Sequence, residues 1–503
     1  SCPLSAQSLN IHLHRPQIVS LPIYLPSLGS AHSTLPIKGG SYSPAVLIST
    51  SPSSPSLPFE ITDMTTPYSK LVEKQRAFYL SGKTLDLAGR KKRVEKFRDM
   101  CLQNKKALDD AIFADLHRIQ SDVELCIKSI DEVVDKIDEW VQPKKVEVLK
   151  SEVSDPSSDS LYIVPEPLGV VLVIGPWNFP LTTTAPLVHA LAAGNTVIVK
   201  PSEMVPHFSS VLAQIVAKNF NEEELAVVEG GVKESTDLLK ERFDHILYTG
   251  CPPVAKIVMA AASKFLTPVT LELGGKNPVL VDETADLSLL PSNIIFAKTL
   301  NAGQICISTD YIITTAAMKP KIVETLKKAF DELGDMAKVQ TFSRIVNDRH
   351  FDRVQALLKN TKGTVLYKAQ GEINKADKFI PFHLVEVKAD DAFMQEEVFG
   401  PLLPLLVVGS FDEALDFIKK NEKPLAAYCF TADNEKAKRF ARETSSGGVT
   451  VNGAMTHAFV PGVPFGGVGN SGMGRIGGKF CFDTFSHEKP VMFRAGVNPS
   501  LAL

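Results

Sequence analysis

Between about Pro67 and Val141 apolar residues recur at three- and four-residue steps. "LVEKQRAFYLSG", "RKKRVEKFRDMCLQNKKALDDAIFADL" and "DVELCIKSIDEVVDKIDEWV" all carry this period, which predicts amphipathic helices. Pro143 and the polar "SEVSDPSSDS" end it, and the period then changes. Short apolar runs of strand length alternate with helical stretches: "GVVLVIG" precedes "TAPLVHALAAG", "TVIVK" precedes "SSVLAQIVAKNF", "AVVEG" precedes "STDLLKE", and "HILYTG" precedes "PVAKIVMAAASKF". Such alternation means βαβ units and a parallel sheet with helices on both faces. Ligands of these sheets sit at the carboxyl ends of the strands. A second alternating region, from about Leu273 to Phe480, contains "NPVLVD", "YIITT" with "KIVETLKKAF", "PLLPLLVVG" with "DEALDFIKK", and "AAYCFTAD" with "EKAKRFARET". The pattern therefore predicts two α/β domains with a seam near "LELGGKNP", and no internal repeat.

The first sixty residues break the pattern. From Ser1 to Phe59 there is no Asp or Glu, and serine and proline dominate. Such a segment buries too little apolar surface to offset its ordering entropy, so residues 1–63 are expected to be a disordered leader, with folded structure beginning near Met64. Arg15 is its one arginine and no basic amphipathic face accompanies it, which speaks against a transit peptide. The 503 residues are 44% hydrophobic and 22% charged, as globular domains are, and a net charge of -3 gives no electrostatic reason to expect nucleic acid or an anionic membrane. Seven cysteines at scattered positions argue against a disulfide framework and for a reducing, cytoplasmic setting. Without paired CxxC there is no sign of a metal site. No apolar run approaches the roughly 20 residues that span a bilayer.

Five stretches carry candidate chemistry. "LELGGKNP" ends an apolar strand at Glu272, where a carboxylate is costly unless it has a task or a partner, and two glycines leave it open to approach. "VIGPWNFP" follows a strand, and Asn178 there either donates its amide to a developing oxyanion or caps the next helix. "KPSE" places Lys200 and Glu203 three residues apart at a strand end, suited to phosphate or ribose hydroxyls. "YTGCPPVAK" puts Gly250 before a helix, an arrangement that takes pyrophosphate, although it is not a GxGxxG fingerprint. "NAGQICIST" sets Cys306 among small and amide-bearing residues, as either a half-buried packing thiol or an accessible nucleophile.

Taken in order, "PWNFP", "KPSE", "YTG", "LELGGK", "GQICIS", "EEVFGP" and "PFGGVGNSGMG" resemble the aldehyde dehydrogenase superfamily, and "VPEPLGVVLVIGPWNFP", "RIVN" and "FDTFSH" resemble its class 3 and fatty-aldehyde branch. The resemblance runs from Tyr68 to about Arg494. It implies two Rossmann-like doubly wound domains with a small bridging β element. Residues 64–141 and 166–272 would form the dinucleotide-binding domain, 273–478 the catalytic domain, and 142–165 with 479–503 the bridging, oligomerising element. It implies NAD, and also NADP, as cofactor, with an aliphatic, fatty or aromatic aldehyde as substrate and a homodimer as the assembly. By the same resemblance Cys306 is the nucleophile, Asn178 the oxyanion donor and Glu272 the base that hydrolyses the thioester. Lys200 and Glu203 would bind the adenosine ribose, Gly250 approach the pyrophosphate, Glu397 hold the nicotinamide ribose and Phe399 pack beside the ring.

Three features depart from the branch. Cys251 and two prolines follow "YTG" in place of the usual serine, which puts cofactor affinity in question. Thr309 replaces a common proline after "CIS", with little expected effect. The sequence ends in "MFRAGVNPSLAL" rather than an apolar membrane anchor. Two rival functions remain: release of the thioester to coenzyme A, against which Glu272 argues, and a non-catalytic crystallin-like role, against which the full set of catalytic side chains argues.

Overall fold

The computed structural model describes residues 66–151 and 154–494; the expected leader, residues 1–63, lies outside the described residues. Four helices come first, Ser69–Leu80, Leu87–Gln103, Lys105–Leu116 and Asp122–Trp140. The Asp86 side chain caps the second by accepting from the Gly89 N–H, and Ser121 caps the fourth by accepting from the Glu124 N–H. His117, at φ 51°, ends the third in the left-handed conformation. Val123, Cys126, Ile130, Val133 and Ile137, at the expected three- and four-residue steps, bury one stripe of the fourth helix. That stripe joins Val94 and Phe97 in a core shared with the first sheet.

The chain then runs through β1 (Lys144–Val146) and β2 (Ser160–Pro167) into five parallel strands. These are β3 (Val170–Ile174), β4 (Thr196–Lys200), β5 (Leu225–Val227), β6 (His245–Thr249) and β7 (Val269–Glu272). β3 and β4 are buried along their whole length, which is why they read as unbroken apolar runs. Seven strands follow: β8 (Pro278–Val281), β9 (Tyr311–Thr315), β10 (Thr364–Lys368), β11 (His383–Val387), β12 (Leu402–Val408), β13 (Ala426–Phe430) and β14 (Gly448–Val451). They form a second sheet in the order β10-β11-β12-β9-β8-β13-β14, parallel except for β10. Finally β15 (Gly472–Met473) returns antiparallel onto β7, and β16 (Ser486–Phe493) pairs antiparallel with β2.

The first sheet therefore has the order β15-β7-β6-β3-β4-β5, and the small third sheet the order β1-β2-β16. Strand order in the first sheet reverses between β3 and β6, the kind of switch point where a crevice opens at the carboxyl ends. Lys200 and Glu272 are themselves the last residues of β4 and β7, while Asn178 and Gly250 follow β3 and β6. The cysteine loop is placed differently. It precedes β9, so Cys306 lies at the amino ends of the second sheet. Among the described residues no helix is long and apolar enough to cross a membrane, and no cluster of side chains is suited to hold a metal ion.

Candidate active site

The loop after β3 buries Asn178, whose side-chain N–H donates to the Gln304 carbonyl at 3.1 Å. Helix Pro186–Ala193, the next one, has Ala185 as its N-cap, so Asn178 is not a helix cap. At the end of β4, Lys200 is buried and donates to the half-exposed carboxylate of Glu203 at 3.1 Å. After β6 the Gly250 N–H donates to the Glu272 carbonyl at 2.9 Å, tying two candidate loops together. A Cβ on Gly250 would lie 2.1 Å from the Tyr248 hydroxyl, so a side chain there would collide with it. Helix Pro252–Ser263 opens with two prolines, which carry no N–H. The Cys251 N–H is taken by Tyr248 at 3.1 Å and the Ala255 N–H by the Cys251 carbonyl at 3.1 Å, which leaves an anion few donors at this end.

Cys306 follows a backbone under strain. Asn301 and Ala302 have φ values of 51° and 52°, unusual for residues with a side chain, and Gly303 continues at 74°. Gly303 permits a close approach: a Cβ there would stand 2.4 Å from the Gly400 carbonyl of the "EEVFGP" loop. Amides hold the strained segment. The Asn277 side chain donates to the carbonyls of Cys306 and Ser308, each at 2.8 Å, and accepts from the Ala426 N–H at 2.9 Å. Gln304 donates to Asn301 and Arg344 and accepts from Val346 at 2.8, 3.0 and 3.0 Å. Neither Asn277 nor Gln304 emerges from pattern reading as a site residue, although each stands beside one in its motif. Asn277→Ala orphans three buried backbone groups at about 1–3 kcal/mol each. The expected outcome is a stability loss of about 3 kcal/mol or more with lower turnover; denaturant unfolding checks the first, and an unchanged midpoint would refute it.

Cys306 is half-buried and packs against the core of the second sheet, as do the partly buried side chains of Phe179, Ala458 and Phe465. Burial, then the nearby carboxyls of Glu397 and Glu272, push the Cys306 thiol up to about 12, while the backbone N–H groups of Cys306 and Ile307 act the other way. Burial alone raises Glu272 well above the usual carboxylate range, and both of its oxygens lack a hydrogen-bond partner. Glycine keeps its approach clear, since a Cβ on Gly466 would be 3.3 Å from Glu272 Oε1. Burial and then Asp310 push Glu397 up to about 8, against the lowering effect of the Gly275 N–H. Its loop is fixed by Arg353, which donates to the carbonyls of Glu397, Val398 and Phe399 at 3.2, 2.7 and 3.4 Å. Phe399, at φ 43°, meets Trp177 edge-on at 5.4 Å. Thr309 is buried with its hydroxyl unpartnered.

The arrangement gathers a thiol, an amide donor and an unpartnered carboxyl where the first sheet's carboxyl ends meet the cysteine loop. Residues 65–491 match the aldehyde dehydrogenase family. The chain belongs to that family. It is 43% identical over 439 residues to a dog protein named aldehyde dehydrogenase, dimeric NADP-preferring, covering 86% of this chain and 95% of the relative. It is 42% identical to aldehyde dehydrogenase family 3 member A2 of Pongo abelii, covering 84% and 88%. Among solved structures, the substrate-bound AldH of Staphylococcus aureus superposes with a TM-score of 0.83 at 35% identity, covering 87% of this chain and 96% of that one. The protein is thus an aldehyde dehydrogenase that oxidises aldehydes with NAD(P) on the α/β fold expected from its sequence.

The residues around the crevice fit a dinucleotide. A Cβ on Gly274 would meet the Glu397 carboxylate at 2.5 Å, and one on Gly231 would meet Glu203 Cγ at 3.7 Å. Glycines therefore border both carboxylates that could take ribose hydroxyls. The side chain of Lys200 is buried and ends on the half-exposed carboxylate of Glu203. Against that fit stands the double proline after Cys251, which offers no N–H to a phosphate.

Proposed function

We propose that Cys306 is the nucleophile, Asn178 the oxyanion donor and Glu272 the general base in oxidation of an aldehyde to its carboxylic acid. One observation carries the reading: a buried, unpartnered Glu272 carboxyl stands within electrostatic reach of the only half-buried thiol among the described residues. The thiolate adds to the carbonyl carbon, and the Asn178 side chain with the Cys306 N–H holds the resulting oxyanion. When bound, the nicotinamide supplies the hydride acceptor. Loss of hydride leaves a thioester on Cys306. Glu272, its proton affinity raised by burial, takes a proton from the water that releases the acid. Lys200, Glu203 and Gly250 would hold the adenosine side of the cofactor, and Glu397 with Phe399 the nicotinamide side.

Cys306 packs against the apolar core of the second sheet, as Phe179, Ala458 and Phe465 do, which supports aliphatic, fatty or aromatic aldehydes over charged ones. Glu203 repels a 2′-phosphate while its partner Lys200 attracts one, which supports use of both cofactors. A relative named as dimeric and the apolar side chains of Val254, Ile257 and Met259 exposed on helix Pro252–Ser263 support a homodimer. Six free cysteines among the described residues fit a reducing, cytoplasmic setting. The reading is tested by following NADH and NADPH formation over a panel of aldehydes. Turnover of apolar aldehydes without added coenzyme A is expected. A strict need for coenzyme A would overturn the hydrolytic step.

A further inference from the structure

Arg118 lies in the turn between helices Lys105–Leu116 and Asp122–Trp140, far in sequence from every residue assigned to the site. It is nevertheless fully buried, its side chain and that of Asp122 both 0% exposed. Burying a guanidinium is costly, and apolar residues of similar volume often fill such a place at least as well. This one is aimed at a single loop. Nη1 donates to the Asn178 carbonyl at 2.5 Å, and the guanidinium lies over the Phe179 ring at 4.3 Å. Nη2 stands 3.1 Å from Asp122 Oδ1 as an ion pair, although not aligned as a hydrogen bond. Asp122 in turn accepts from the Leu181 N–H at 3.0 Å and the Thr182 hydroxyl at 2.9 Å. The pair therefore contacts Asn178, Phe179, Leu181 and Thr182 from behind.

The same Asn178 carbonyl also accepts from the Asn301 side chain at 3.0 Å, from within the strained cysteine loop. Held from both sides, the backbone of Asn178 has little freedom, and its side-chain amide faces the Gln304 carbonyl at 3.1 Å. The Arg118 turn is itself tied to the cysteine loop: the Arg344 N–H donates to the Leu116 carbonyl at 3.0 Å, and the Arg344 carbonyl accepts from Gln304 at 3.0 Å. We propose that Arg118, paired with Asp122, is a positioning residue that sets the orientation of the Asn178 amide for the oxyanion. The proposal rests on the reading of Asn178 as oxyanion donor. Arg118 touches no reacting atom and acts through Asn178.

A double-mutant cycle tests this, with para-nitrophenyl acetate as probe on the full chain. Acylation of Cys306 by this activated ester passes through a tetrahedral oxyanion and needs no nicotinamide. Removing one oxyanion donor costs about 100- to 1,000-fold, so Asn178→Ala is expected to slow acylation by that order. Arg118→Met should slow it about tenfold or more in the wild-type background and less than about twofold in the Asn178→Ala background, because coupled residues are non-additive. Arg118→Lys, which keeps the charge and one donor, should recover part of the loss; if Arg118→Met does not fold, Arg118→Lys and Arg118→Gln are read in the same cycle. Equal losses in the two backgrounds, or no loss in the first, would overturn the proposal. An Asn178→Ala enzyme that acylates normally would overturn the oxyanion reading itself, and the proposal with it.

Discussion

Cys306→Ala is expected to lower aldehyde oxidation by more than about 1,000-fold while NADH still binds, because a covalent route has no substitute once its nucleophile is gone. The residues assigned to the cofactor stand at or just after the ends of β4 and β6 or in the "EEVFGP" loop, and none is built from the thiol. Fluorescence of bound NADH should therefore change little in the variant. Turnover within tenfold of wild type would remove Cys306 from the reaction. The thiol's environment adds a pH signature. Held up near 12 by burial and by two carboxyls, it is a thiolate only in small part at neutral pH. Below that value the thiolate fraction grows about tenfold for each pH unit, so alkylation of Cys306 by iodoacetamide should accelerate steadily from pH 7 to pH 9. A flat rate over that range would mean that the thiolate is already formed.

Glu272→Gln is expected to spare the first turnover and to slow every later one. The amide keeps the shape of the carboxyl but cannot accept a proton from water at neutral pH. General-base contributions are about 100- to 10,000-fold, and steady-state turnover should fall within that range. A burst of NADH near one per active site should survive, since acylation and hydride loss precede the step that needs the base. The wild-type carboxyl also predicts the sign of the pH dependence. Burial raises Glu272 above the ordinary carboxylate range, so deacylation should weaken as pH falls, at a higher pH than an exposed glutamate would protonate. In the glutamine variant that acid limb should disappear. A variant that hydrolyses its thioester at the wild-type rate would place the base elsewhere.

Much of the fold was legible because its period changes are strong. The helical stripe of residues 122–140 and the unbroken apolar strands β3 and β4 follow directly from burial on one side or on both. Strands β10 and β14 carry exposed or half-exposed residues and lack that signal, and β15 is only two residues long. The pairing of β16 with β2 joins segments more than 300 residues apart, which local pattern does not encode. At the site, Asn178, Lys200, Gly250 and Glu272 could be named because each ends or follows a strand. Their supports could not. Asn277, Gln304, Arg118 and Arg353 act through backbone carbonyls of distant loops, and nothing in a single sequence marks which carbonyl a side chain will meet. The placement of Cys306 at the amino ends of its own sheet was likewise outside the rule that puts ligands at carboxyl ends. That rule describes the first sheet, and the cysteine loop reaches toward it from the second.

The central claim is that an acyl group passes through Cys306 and leaves by Glu272-assisted hydrolysis. Intact-protein mass spectrometry of Glu272→Gln, mixed with NAD and an apolar aldehyde, tests it most directly. The account predicts a mass increase of one acyl group per chain, mapped to the peptide containing Cys306 and absent from Cys306→Ala. An unmodified protein after a full NADH burst, or an adduct on another residue, would contradict it.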